Sequence, residues 1–227
     1  METHKLLTQF FSKSKENEIN NKMMFYSYNF EYDVVLEYVK NLINTPLKEY
    51  LFYLLSNYHV PFLEANDVLQ YSNFDDCTIN ICKVFKEAGD KGFSALEAGK
   101  LLENDGIERK DGAYTKYGEN HCKTATSLGI LNCLSNKYFL SCIGFVLNDL
   151  NEYEQKLLIS RLILRNNLIK RLVYKSLKNG SASYEFETGF LSDSTRNRRK
   201  SNVKKLITIL QNSDEISLKT ILNTIEF

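Results

Sequence analysis

The stretch Tyr117-Gly-Glu-Asn-His-Cys-Lys-Thr-Ala-Thr-Ser-Leu-Gly-Ile-Leu-Asn-Cys-Leu-Ser-Asn-Lys-Tyr-Phe-Leu-Ser141 decides how this chain is read. Gly118, His121, Cys122, Ala125 and Leu128 recur at helical spacing on one face, with Lys116, Asn120, Lys123 and Ser127 on the other. Gly129 stands where a glycine stops a helix. Beyond it, Ile130–Leu134 and Tyr138–Ser141 flank Ser135-Asn136-Lys137, the pattern of a short hairpin. Upstream, Ile79, Cys82, Val84 and Phe85 predict a helix ending near Gly89. Ser94-Ala-Leu-Glu97 is a capping box that opens a second helix through Leu101 and Leu102. Asn104–Thr115 reads as turn-rich, so the third helix is expected from about Tyr117 to Leu128.

Three helices followed by a hairpin is the winged-helix order, a variant of helix-turn-helix, and residues 77–150 are read as one such unit. Residues 151–178 are amphipathic, with Leu158, Leu162, Ile169, Leu172, Val173 and Leu177 facing inward. Asn166-Asn167 divides them into two helices, and Asn179-Gly180 closes the second. After a less regular segment, Tyr184–Leu191, a helix opens at Ser192, Ser194 or Thr195 and carries Val203, Leu206, Ile207 and Leu210 on a core face. Residues 151–227 thus read as a second, basic helix-turn-helix or winged-helix-like unit. Residues 1–24 are expected as a mobile polar arm and 25–76 as an acidic helical domain. In the latter, Val34, Val35, Tyr38, Val39 and Leu42, then Leu47, Tyr50, Leu51, Leu54 and Leu55 after Pro46, keep helical period. The expected fold class is mainly α: a helical N-terminal domain, then tandem winged-helix-like units with short hairpin wings.

The net charge of +1 over 227 residues conceals an uneven distribution. Residues 1–76 carry 6 basic and 11 acidic side chains, 77–150 carry 9 of each, and 151–227 carry 14 and 8. Over 156–205 the ratio is 13 to 3, and six of the seven arginines fall between Arg161 and Arg199. Such local asymmetry points to a nucleic-acid surface. With 43% hydrophobic and 25% charged residues the chain reads as globular rather than disordered. No apolar run is long enough to span a bilayer, and Met-Glu-Thr-His-Lys lacks the pattern of a secretory signal, so the cytoplasm and no membrane partner are expected. The five cysteines are odd in number and irregularly spaced, as expected of reduced, buried thiols.

The densest candidate site is Leu191-Ser-Asp-Ser-Thr-Arg-Asn-Arg-Arg-Lys-Ser-Asn-Val-Lys-Lys-Leu206. Ser192, Ser194 and Thr195 suit a helix start whose free N–H groups can seat a phosphate. Ser194, Arg198, Ser201 and Lys205 lie opposite the apolar face, flanked by Asn197 and Lys204. Arg and Lys read guanine edges and Asn reads adenine. Arg196 and Arg199 project nearer the apolar side, as phosphate clamps or packing residues, and Lys200 completes the basic run. On the preceding helix Arg171, Lys175 and Lys178 form one stripe able to follow a phosphate backbone, extended by Arg161 and Arg165 if these are not paired with carboxylates. In the first unit Lys116, Asn120 and Lys123 have the same geometry with less charge.

Enzyme signatures are absent from the sequence. It has no phosphate-binding Gly-x-x-x-x-Gly-Lys-Ser/Thr loop, no Gly-x-Ser-x-Gly elbow, no His-Glu-x-x-His and no Cys-x-x-Cys pair. Asp33, Glu37 and Lys40 share one helix as ordinary ion-pairing residues, and Glu185 and Glu187 are strand-like paired acids without a following lysine. No catalytic residue, metal or cofactor is therefore assigned.

Lys116-Tyr-Gly-Glu-Asn-His-Cys-Lys-Thr-Ala125 with Leu128-Gly129, and Leu191–Val203, with Leu162-Ile-Leu-Arg165 between, together resemble the helix-turn-helix modules of bacterial restriction and DNA-defence proteins and of some AAA-ATPase-associated regulators. The resemblance covers about Ile79–Gln211. It implies double-stranded DNA as partner and a recognition or transcription-regulatory role in restriction-modification or DNA defence, acting with a nuclease or ATPase partner or as a homodimer. The alternatives are a protein-interaction adaptor for such a partner and a compact metal-dependent endonuclease.

Overall fold

The computed structural model describes residues 29–56, 62–88, 91–103, 105–212 and 216–227; the polar arm expected over 1–24 lies outside them. The described residues are mainly helical and divide into two compact units. The first joins residues 29–44 to 72–158, and the second joins 45–71 to 159–227. The acidic segment 25–76, expected as one domain, is thus divided between the two. The reason is the destination of its apolar faces. Helix α1 (Asn29–Asn44) buries Val35, Val39 and Leu42 and packs in the first unit, whereas α2 (Leu47–Ser56) buries Leu47 and Tyr50 in the second.

In the first unit the elements run α3 (Ile79–Ala88), α4 (Ala95–Leu102), α5 (Asp111–Ser127), β1 (Leu131–Leu134), β2 (Lys137–Leu140), α6 (Cys142–Asp149) and the start of α7 (Glu152–Arg165). The capping box is present: the Glu97 amide donates to the Ser94 hydroxyl at 3.3 Å, and the Ser94 amide donates to the Glu97 carboxylate at 2.7 Å. Strands β1 and β2 pair antiparallel through a two-residue turn with positive φ at both Ser135 and Asn136, the hand that matches strand twist. Phe93 adds an antiparallel bridge to Tyr138. Gly129, at φ 78°, ends α5 as expected; its amide bonds to Thr126 and that of Ile130 to Ala125. Lys40 of α1 pairs with Glu154 rather than with Asp33 or Glu37 beside it.

Helix α5 opens at Asp111, six residues before the expected start, so residues 111–115 are helical rather than part of the turn-rich stretch. Asp111 occupies the first turn, where a carboxylate is favoured, and receives Lys100 at 2.7 Å. The Tyr114 hydroxyl donates to the Ile107 carbonyl at 3.1 Å, holding the preceding loop. The extra turn also lengthens the α4–α5 contact, which two glycines make close. A Cβ at Gly118 would overlap the Ala95 carbonyl oxygen and lie 2.7 Å from the Gly99 nitrogen. One at Gly99 would overlap the Tyr114 carbonyl oxygen.

The second unit contains the end of α7, then α8 (Asn167–Asn179), β3 (Ala182–Ser183), α9 (Tyr184–Glu187), α10 (Asp193–Gln211), α11 (Ile216–Leu222) and β4 (Ile225–Glu226), which pairs parallel with β3. Asn166 divides α7 from α8 as expected, its side chain accepting from the Ile169 amide at 3.2 Å, and Gly180 closes α8 at φ 83°. Leu158, Leu162, Ile169, Leu172 and Val173 are buried, but Leu177, expected inside, is 51% exposed in the last turn of α8. Tyr184–Glu187, read as strand-like, is one helical turn capped by Ser183. All five cysteines are free thiols; four are buried, but Cys133 is exposed on the outer side of β1.

Candidate nucleic-acid interface

Helix α10 is the longest described element, 19 residues or about 28 Å. Val203, Leu206, Ile207 and Leu210 are buried, as their spacing required. Ser194, Asn197, Arg198, Ser201, Lys204 and Lys205 are all exposed and fall on the opposite face as one stripe. Among the described residues, no ion pair or hydrogen bond engages the Arg198 guanidinium or the Lys205 ammonium. The Lys204 ammonium stands 5.2 Å from the Phe227 ring centroid. Ser192 is the N-cap in extended conformation, but its hydroxyl donates to Thr195 Oγ1 at 3.0 Å instead of accepting from the first-turn amides.

Most of the basic bias over 156–205 has gone into the protein itself. Arg161 is 5% exposed; its guanidinium donates to the Thr45 carbonyl at 3.0 Å and lies over the Tyr50 ring, whose hydroxyl donates back to the Arg161 carbonyl. Arg199 donates to the carbonyls of Ala65 and Val68, so it ties the 62–71 segment to α10. Burial, then the neighbouring Arg198 charge, lowers the pKa of Arg199 from its ordinary value. The three acidic residues of this stretch each hold a cation: Glu187 binds Arg171, Asp193 binds Arg196 at 2.5 Å and Glu185 binds Lys200 at 2.9 Å. Lys170 is largely desolvated, which pulls its pKa down, with Arg165 adding to the effect.

The expected stripe on α8 is consequently interrupted. Arg171 turns toward Glu187, Lys175 is half-buried, and Lys178 is exposed with its ammonium 5.8 Å from the Tyr174 ring. Arg171→Ala leaves the Glu187 carboxylate, whose side chain is 3% exposed, without this partner. Because Arg171 itself is partly solvated, the expected cost is about 2 kcal/mol of stability, below the range for a fully buried pair. Urea unfolding measures it. An unchanged midpoint would show that the pair contributes nothing.

In the first unit α5 presents Lys116 and Lys123 to solvent with Asn120 and Ser127 half-buried beside them, while Gly118, His121, Cys122, Ala125 and Leu128 are all buried. Lys123 is held by Glu119 one turn away. His121 is a satisfied core residue: Nδ1 donates to the Tyr117 carbonyl at 2.7 Å, and Nε2 accepts from Ser72 at 3.3 Å and the Asn73 amide at 3.4 Å. Burial lowers its pKa, consistent with a neutral ring. Tyr117 stacks on that ring and donates its hydroxyl to Asp76 at 2.6 Å, so it belongs to the packing of α5.

Two exposed side chains that carry no signal in the sequence precede α10 in the chain. Phe186 is 78% and Phe190 46% exposed, just ahead of the helix. As apolar residues they read as core, and no local signal marks them otherwise. Among the described residues no group of three or more His, Cys, Asp or Glu is arranged to hold a metal, and no helix is long and apolar enough to cross a membrane. Comparison with protein-family models, curated proteins and solved structures finds no match.

Proposed function

We propose that this chain is a non-catalytic double-stranded DNA-binding protein that reads DNA with α10. The observation that carries the reading is the outward stripe of that helix, where Arg198, Lys204 and Lys205 have no carboxylate partner among the described residues although nearly every neighbouring cation is engaged. A helix presenting exposed cations beside Asn and Ser has the donors that base edges and phosphates accept. Arg198 and Asn197 are placed for base edges, Ser201 for either, and Lys204 and Lys205 for phosphates. Lys175 and Lys178 extend the phosphate contact along α8. We read the order α3, Phe93, α4, α5, β1, β2, with Phe93 bridging Tyr138, as winged-helix-like, and this supports a second, weaker contact through Lys116, Asn120 and Lys123. The resemblance of both segments to restriction and DNA-defence modules gives the reading its setting, as a recognition or regulatory component.

A gel-shift titration on random duplex tests this. Affinity falls steeply as salt rises, because binding releases counterions. Arg198→Ala relaxes sequence preference, whereas Lys175→Ala weakens all sequences alike. Weak, salt-insensitive binding would sink the proposal, and loss of affinity without change of preference in both variants would remove the base-reading role of α10.

A second reading, an adaptor for a nuclease or ATPase, draws on Phe52 and Phe62, which are 68% and 89% exposed. Recovery of such a partner together with no DNA shift at low salt selects it.

A further inference from the structure

We infer that Phe186 and Phe190 form an apolar contact for an unstacked base, so that the preferred ligand of the α10 stripe is duplex DNA carrying an unpaired or displaced nucleotide. The inference rests on the DNA reading of that stripe. Helix α9 is pinned on three sides. Tyr184 is fully buried and its hydroxyl donates to the Arg196 carbonyl at 2.9 Å. Glu187 is buried against Arg171, and Glu185 reaches Lys200 at 2.9 Å. These contacts place α9 along the first two turns of α10 and leave the Phe186 ring directed at solvent. The chain then turns as the Gly189 amide donates to the Phe186 carbonyl and the Leu191 amide to the Thr188 carbonyl. Phe190 emerges two residues before the Ser192 N-cap.

Two phenyl rings are therefore held in water, by an ordered backbone, at the end of the helix that also exposes Ser194, Asn197 and Arg198. Exposed aromatic rings forgo hydrophobic stabilisation. The occupant they suit has an apolar face, and the exposed cations that follow on α10 favour one that also carries negative charge. A nucleotide has both in one unit, a π-face and a phosphate. In an intact duplex the base faces are hidden by stacking, so rings of this kind act by filling or wedging a disrupted step. Arg198, one turn into the helix beyond Ser194, is then placed for the phosphate or the edge of the neighbouring pair.

The test compares a fluorescein-labelled duplex with the same duplex bearing a single-nucleotide bulge, by anisotropy at fixed salt. The native chain binds the bulged duplex about tenfold more tightly, the magnitude of one stacked base. Phe186→Ala removes most of that preference while leaving affinity for the intact duplex within about twofold. Phe186→Leu, apolar but without a ring face, behaves like the alanine variant. Because Phe186 is exposed, its truncation does not threaten the fold, and an unchanged melting temperature confirms this. Equal binding of the two duplexes by the native chain overturns this inference and leaves the DNA reading intact. A preference that survives Phe186→Ala overturns it too. Absence of salt-dependent binding to either duplex overturns the DNA reading, and this inference with it.

Discussion

Gly118→Ala is expected to destabilise the first unit by about 3 kcal/mol or more, lowering its melting temperature by roughly 12 °C. Ordinary overpacking is relieved by rotating a neighbouring side chain, but the atoms facing Gly118 are the Ala95 carbonyl oxygen and the Gly99 nitrogen, and backbone moves only if α4 moves with it. Retreat of α4 would also loosen the buried Ala98, whose neighbour Gly99 meets the Tyr114 carbonyl from the other side of the same crossing. Gly112→Ala supplies the contrast. Its Cβ meets nothing within 4 Å, so replacing a helical glycine there is expected to stabilise the unit by about 0.5 kcal/mol through the unfolded chain. Thermal unfolding of both variants followed by circular dichroism separates steric from intrinsic effects. A Gly118→Ala protein that melts within a degree or two of the native one would mean that α4 and α5 do not cross this closely.

The same crossing explains what was legible in the sequence and what was not. Apolar periodicity is a local signal, and it located the buried faces of α5 and α10 residue by residue, along with the Ser94 capping box and the Gly129 stop. The start of α5 was hidden because Asp111-Gly112 has the local chemistry of a turn. What makes those residues helical includes the Lys100 ion pair and the close approach of α4, neither encoded within the segment.

Charge was legible as a bias but not as a surface. Arg161 finds Thr45 from 116 residues away and Arg199 finds Val68 from 131, distances over which no spacing rule operates. Arg171 finds Glu187 across the turn between α8 and α9. The sequence therefore marks a run of cations, and the fold sorts them into interior struts and a solvent-facing row. Of the residues anticipated for DNA contact, Arg171, Arg196, Arg199 and Lys200 are held by protein partners, while Asn197, Arg198, Ser201, Lys204 and Lys205 face outward. The acidic segment 25–76 is divided between the two units for the same reason: helical period shows which face of α1 or α2 is apolar, not which helix covers it.

That sorting makes the joint replacement Arg198→Ala, Lys204→Ala, Lys205→Ala the sharpest test of the interface. Each residue is exposed on α10 and lacks a carboxylate partner among the described residues, so folding stability should change by no more than about 0.5 kcal/mol. On DNA, two fewer phosphate neutralisations, at Lys204 and Lys205, make the slope of log affinity against log salt shallower by roughly 1.8, since each contributes about 0.9, and Arg198 adds the loss of a base contact. At moderate salt the affinity loss is on the order of 100-fold, because each lost ionic contact is worth about 1 kcal/mol. Removing Lys116 and Lys123 together is expected to change the slope by only about 1, because the Glu119 carboxylate already neutralises Lys123 and a pre-formed ion pair displaces fewer counterions. The two variants differ in which helix meets the phosphates and not in the amount of charge alone. A triple variant that keeps the native slope would take α10 off the DNA. A Lys116, Lys123 variant with the larger effect would move the interface to α5, where an ion pair would then have to open on binding.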